Sequence, residues 1–288
     1  MSILVGVQPK AGRMSRLRSF GGNWLFVLSC AILVGFVLLA IFAPLLAPYP
    51  PDATDLLNSL APPSSEHWLG TNQVGQDTLS RIIYGSRTSL IGPLSIVVLS
   101  TILGIVLGVI AGWRGGWIDA ALSRIFDIMF AFPGLLLAIL AVALFGKGLL
   151  APVIAMSIAY TPFVARLVRS LVMQAKARPY IAAYQVQGFG SAHIASRRLL
   201  PNIAPTVLAQ STLNFGYAVI DLAALSFLGL GVQPPTPDWG AMINEGRGAI
   251  LAGTPLSAVA PAIAIIVVVV SFNIVGEELA DRIAGRDL

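Results

Sequence analysis

Two carboxylates, Asp127 and Asp221, sit in or beside long apolar runs of this 288-residue chain, where a charge is costly unless it is paired or faces a cavity. Asp127 follows Arg124 by three residues, so an i,i+3 ion pair on one helix face is expected. Asp221 has no basic residue within reach on its own helix. It lies roughly 15 residues into its run, about 22 Å along a helix axis. Such an acid either lines a translocation path or makes a packing contact, with a neighbouring helix or a partner subunit.

The other chemically conspicuous stretch is cationic. Residues 166–205 hold Arg166, Arg169, Lys176, Arg178, Arg197 and Arg198 and not one Asp or Glu. Pro179 suits a first helical turn, residues 180–187 provide about two turns, and Gly188 and Gly190 favour a break. Ser191 is a candidate cap for a second short helix that Pro201 closes. Ala182 and Ala183 present a low surface suited to another protein's groove. Anionic lipid headgroups are a competing partner for the charge. A DNA-reading helix pair is excluded by the tether to apolar runs on both sides.

Catalytic signatures are missing from the sequence. Gly146-Lys147-Gly148 lacks the upstream glycine and following hydroxyl of a phosphate loop, and no H-E-x-x-H or cysteine pair occurs. Cys30, the single cysteine, falls in an apolar run and reads as a small buried thiol. His67 and His193 are expected on opposite sides of a membrane, which leaves no metal site. The chain is expected to be no enzyme and to hold no cofactor. If nucleotide drives its work, the nucleotide binds another chain.

The elements that must position these residues are membrane helices. The chain is 56% hydrophobic and 11% charged, with a mean hydropathy of +0.83, far from a soluble domain. Charge-free runs separate Arg18 from Asp52, Arg87 from Arg114, Asp127 from Lys147, Lys147 from Arg166, and Arg247 from Glu277. Each holds at least about 18 residues, enough to span. A run at 206–228, interrupted by Asp221, makes six. The run beginning at Trp24 is too long for a secretory signal and reads as an uncleaved span. Residues 145–148 must form a tight hairpin between the third and fourth spans.

With the N-terminus inside, only Arg81, Arg87, Lys147 and Arg247 of the 18 Lys and Arg fall outside. The expected fold is an all-α membrane protein with six transmembrane helices, both termini cytoplasmic, and a cytoplasmic helix pair. Its parts are a cytoplasmic segment 1–23, a first span 24–47, an external loop 48–87, and a five-helix core 88–285 containing the cytoplasmic loop 173–201. In the external loop, Asp77 or Thr78 is expected to cap a short amphipathic helix leading into the second span, with a plain surface helix as the alternative. Gly104, Gly108 and Gly112 share one face of that span, for close packing or as a pore lining. Pro133, Pro152 and Pro162 imply kinks.

Ala182-Ala183-Tyr184, Gly188 and Leu200-Pro201 resemble the EAA loop of ABC-importer permeases, with Ala182 where that family has Glu. Leu69-Gly70-Thr71, Gly75, Asp77, Ser80-Arg81 and Gly85 resemble the external motif of its dipeptide, oligopeptide and nickel branch. Residues 225–231, 234–237 and 239–240 are similar to the branch's fifth-span signature, and Phe272-Asn273 and Gly276 to its last span. The likeness covers about 24–285, most closely the C-type member of a permease pair.

This resemblance implies a bacterial inner-membrane location and a heterodimer with a second homologous permease. It also implies two cytoplasmic ATPase subunits that bind ATP and Mg, and an extracytoplasmic solute-binding protein. Ala182, Ala183, Gly188, Leu200 and Pro201 are then the ATPase-coupling loop, and Gly70, Thr71, Gly75, Asp77 and Arg81 an external-loop motif. The cargo implied is a peptide-like small solute, with nickel, opines and glutathione within the family's range. The alternative is a self-sufficient channel or secondary transporter, disfavoured by few intramembrane ionisable groups and no evident inverted repeat.

Overall fold

A computed structural model describes residues 14–284, and every described element is helical apart from one isolated β-bridge. Four helices contain stretches long and apolar enough to cross a membrane: α1 (Met14–Ile41), α3 (Thr78–Arg114), α6 (Leu150–Lys176) and α12 (Leu256–Ala284). A bent pair, α4 (Gly116–Phe130) and α5 (Gly134–Phe145), supplies a fifth candidate. α9 (Leu200–Phe227) has 28 residues but holds no stretch that passes as a candidate span, with Asn, Gln, Thr and Asp spaced along it. The shorter helices are α2 (Ala43–Leu46), α7 (Pro179–Val186), α8 (Ser191–Ile194), α10 (Trp239–Glu245) and α11 (Arg247–Leu251). Three of the Lys and Arg read as cytoplasmic, Lys10, Arg13 and Arg286, lie outside the described residues.

The glycine stripe of α3 is a packing seam. Gly104, Gly108 and Gly112 press on Val164, Ala165, Val168 and Val172 of α6. A Cβ on Gly108 would stand 2.6 Å from the Ala165 carbonyl oxygen and 2.7 Å from Val168 Cβ, so a side chain there forces the helices apart. The same valines continue into a core with Ala175, Leu199, Ile203 and Val207, which ties the end of α6 to the start of α9. A second core joins Ile96, Met156, Phe215, Leu222, Leu225, Trp239 and Val268. Cys30 is only half-buried on α1, short of the buried thiol expected.

Other local expectations need correction. Asp77 is a cap as expected, accepting from Ser80 N at 2.7 Å, but the helix it opens is α3 itself, 37 residues long, and not a separate short helix leading into the span. The helix continues through Pro93 and ends at Gly115, where φ is +64°. The expected third span is broken rather than kinked. Pro133 is the N-cap of α5, and α4 and α5 meet at 79°. A proline cannot donate to the preceding turn, so the break falls there. α6, by contrast, continues through Pro162.

Asp127 does not pair with Arg124. Its carboxylate meets Arg166 of α6, while Asp119 of α4 takes Arg169, with Nη2–Oδ2 at 2.7 Å. Packing α4 across α6 brings guanidinium groups nearer than the short reach along one helix. Two members of the cationic stretch are thereby neutralised, and Lys176 donates to the Trp113 carbonyl at 2.7 Å.

Candidate functional site

At one end of the bundle the cationic stretch forms a protruding corner. α7 begins at Pro179 and ends in a Schellman motif: Gly188 N donates to Gln185 O at 3.0 Å, and Phe189 N to Tyr184 O at 3.1 Å. Gly188 takes φ +82°, which an L side chain rarely adopts. The rings of Tyr184 and Phe189 meet edge to face at 5.6 Å, completing the motif's apolar contact.

The corner's second arm differs from the separate helix expected. Gly190, not Ser191, is the N-cap of α8. Nor does Pro201 end it: a π-helical turn, Ala195–Leu199, carries α8 into α9, and Pro201 is the second residue of α9, where the wider turn gives way to the α-helix. Ile181, Ile194 and Leu199 are fully buried beneath the corner, and Leu200 packs partly buried on the same core. Ala182, Ala183, Gly188 and Pro201 are exposed, as is Val186 at 89%.

α9 leads from this corner to a groove of about 620 Å³ bounded by the α4–α5 elbow, α6 and α9. Gln210, Asn214, Tyr217 and Asp221 line it at spacings of four, three and four, one face of a helix. Tyr160 of α6 donates its hydroxyl to Asp221 Oδ2 at 2.8 Å. Gln210 Nε2 donates to Asn214 Oδ1 at 3.1 Å, while the buried Asn214 Nδ2 has no partner among the described residues. Phe130 and Phe163 add an edge-to-face pair at 4.6 Å. Among the described residues no Lys or Arg lines the groove, although Arg166 stacks on Phe130 at its wall, 4.2 Å from the ring centroid. Asp221 was found by its charge. Tyr160, Gln210, Asn214 and Tyr217 were missed, although the polar period along α9 was a readable signal for the last three.

The opposite end holds the loop motif. Gly70 and Gly75 take φ +71° and +74°, and Thr71 bridges Asp77 in a one-rung ladder. Asp77 accepts from Ser80 N and sits 3.0 Å from His67 Nδ1. Arg81 is buried, hydrogen-bonds Gln76, and reaches Glu245 Oε2 of α10 at 2.8 Å. Burial pushes the Glu245 carboxyl above its ordinary range, against the pull of the Arg81 charge beside it. Trp239 Nε1 donates to Ile82 O at 3.0 Å, a second tie between α10 and α3. The five motif residues therefore act as one polar clasp holding the loop onto α3, with Arg81 carrying it on to α10.

Residues 104–286 match the model of the binding-protein-dependent transport system inner membrane component. Residues 15–63 match the N-terminal transmembrane domain of oligopeptide transport permease C. The dipeptide transport system permease protein DppC of Alkalihalophilus pseudofirmus is 42% identical over 91% of this chain and 86% of its own. The probable D,D-dipeptide permease DdpC of Escherichia coli is 36% identical over 90% and 87%. The glutathione permease GsiD of Escherichia coli is 38% identical over 92% and 88%. These matches span both the groove and the protruding corner, and the chain belongs to the inner-membrane permease components of binding-protein-dependent ABC importers.

Proposed function

We propose that this permease forms half of a heterodimeric pathway for peptide-like solutes in the bacterial cytoplasmic membrane, driven through its α7–α8 corner by ABC ATPase subunits. The spans are α1, α3, the α4–α5 pair, α6, α9 and α12, with both termini and the corner cytoplasmic, in keeping with the Lys and Arg distribution. The names of its relatives, dipeptide and glutathione permeases, support the cargo class. A second permease supplies the other half, a solute-binding protein delivers cargo to the loop end, and ATP with Mg binds the ATPase chains.

One observation carries this reading. The corner exposes Ala182, Ala183 and Val186 while anchoring Ile181, Ile194 and Leu199, and its second arm runs without a break into the groove-lining helix. A push on the exposed side therefore moves α9 rather than deforming a loop. Small residues at the top let a helix enter a partner's groove, and the apolar Val186 stands exposed among the described residues. Leu200 and Pro201 serve as the footing of α9, not as contacts. In this scheme the loop clasp around Arg81 braces the external end while the corner moves.

The test is cysteine cross-linking in the assembled transporter. Ala183→Cys is expected to cross-link to the ATPase subunit, in a yield that changes between ATP-bound and nucleotide-free states. A cysteine at Lys147, placed outside by this topology, is expected to react with an impermeant reagent in intact cells. An Ala183→Cys chain that never reaches an ATPase overturns the docking assignment.

A further inference from the structure

We propose that Asp221 and Asn214 form a cargo site that takes a primary ammonium group at Asp221 and a carbonyl or carboxylate oxygen at Asn214. This rests on the reading of the groove as a transport path. The Asp221 carboxylate uses Oδ2 for the Tyr160 hydroxyl, and among the described residues no basic side chain lines the groove to answer its charge. An acid in a spanning helix needs such an answer. The rings of Tyr160, Phe163 and Tyr217 line the same groove and suit an organic cation.

The second observation is independent of that charge. Asn214 is only 4% exposed, lines the same groove, and keeps an unpartnered Nδ2 donor. A buried donor of this kind costs about 1–3 kcal/mol until an acceptor arrives. Asp221 and Asn214 stand seven residues apart on α9, about 10 Å at 1.5 Å per residue. Two or three extended residues cover that distance. The groove, about 620 Å³, has the volume of a small-molecule site. A basic side chain from the second permease would answer Asp221 but supplies no acceptor for Asn214, which is why cargo is the occupant chosen.

The test compares a free-amino dipeptide with its des-amino analogue in the reconstituted full transporter, at binding-protein concentrations that saturate uptake of each. The wild-type complex is expected to transport the free-amino cargo about tenfold faster, the scale of one charge-assisted hydrogen bond. Asp221→Asn is expected to abolish that preference, the free-amino rate falling toward the des-amino rate. Asp221→Glu is expected to retain it. A wild-type complex without preference overturns the proposal whatever the variants do. So does an equal fall of both cargoes in Asp221→Asn, the result expected if a partner subunit's cation pairs with Asp221. Uptake of neither cargo by the wild type, with ATP hydrolysis intact, overturns the transport reading itself and this site with it.

Discussion

Arg81 Nη2 stands 2.8 Å from Glu245 Oε2 and joins the first turn of α3 to the last turn of α10 across 164 positions of sequence. The pair is lopsided, with Arg81 at 2% exposure and Glu245 at 26%. Losing either partner therefore has unequal consequences, because a guanidinium cannot shed its charge and a carboxylate can.

Glu245→Leu is expected to destabilise the folded permease by about 3–5 kcal/mol, since it leaves Arg81 charged, buried and unpaired. Arg81→Leu is expected to cost less, because the Glu245 carboxyl, already raised by burial, takes a proton instead. A folded-state value above the ordinary 4.5 means that the folded protein holds the proton more tightly. The stability of Arg81→Leu should then fall as pH rises from about 4.5 through the raised folded value, and level off above it. Thermal midpoints of both variants across pH 4–8 check the order and the sign; equal midpoints at every pH would refute the asymmetry.

The α3–α6 seam predicts a steric effect with no charge in it. Gly108→Ala is expected to destabilise by about 1–3 kcal/mol, since the new Cβ meets backbone oxygen as well as the Val168 side chain. Gly35 of α1 has nothing within 4 Å of an added Cβ, so Gly35→Ala is the control expected to be neutral or slightly stabilising. Heat-induced aggregation of the two purified variants separates them, and a Gly108→Ala protein as robust as Gly35→Ala would mean that the seam is loose.

Coupling is tested at the corner. Gly188→Pro forces φ from +82° to about −65°, which destroys the Schellman turn without touching a span. It is expected to leave membrane insertion intact and to abolish cargo uptake at undiminished or poorly regulated ATP hydrolysis. Val186→Asp places a charge on the exposed face and leaves the turn alone. It is expected to reduce uptake at least about tenfold if that face enters an apolar groove. Normal uptake in both variants would remove the corner from the coupling path.

Helical periodicity and charge were enough to read much of the architecture. The long charge-free runs locate α1, α3, α6 and α12, because a run of that length has no other way to satisfy its backbone in lipid. Pro179 and Gly188 marked the bounds of α7 correctly, since the conformational demands of proline and glycine are local. Where a proline's effect depends on its neighbours, local reading failed. Pro133 falls at the 79° bend between α4 and α5, Pro162 is absorbed within α6, and Pro201 lies in the first turn of α9, where a helix was expected to end.

The groove was legible only in part. Asp221 stood out because charge is rare in its run, but its partner Tyr160 is 61 positions away and on another helix. Asp127 chose Arg166 over the nearer Arg124 for the same reason, the approach of α4 to α6.

The sequence by itself determined that this chain is a bundle of membrane helices with a cationic, glycine-hinged corner, because hydropathy, charge and the backbone limits of Gly and Pro act over a few residues. Which side chains answer the buried charges, and which polar face of α9 borders open space, were decided only when the helices packed. Those pairings join residues tens to hundreds of positions apart, and the distance between two such atoms is set by helix crossings rather than by spacing along the chain.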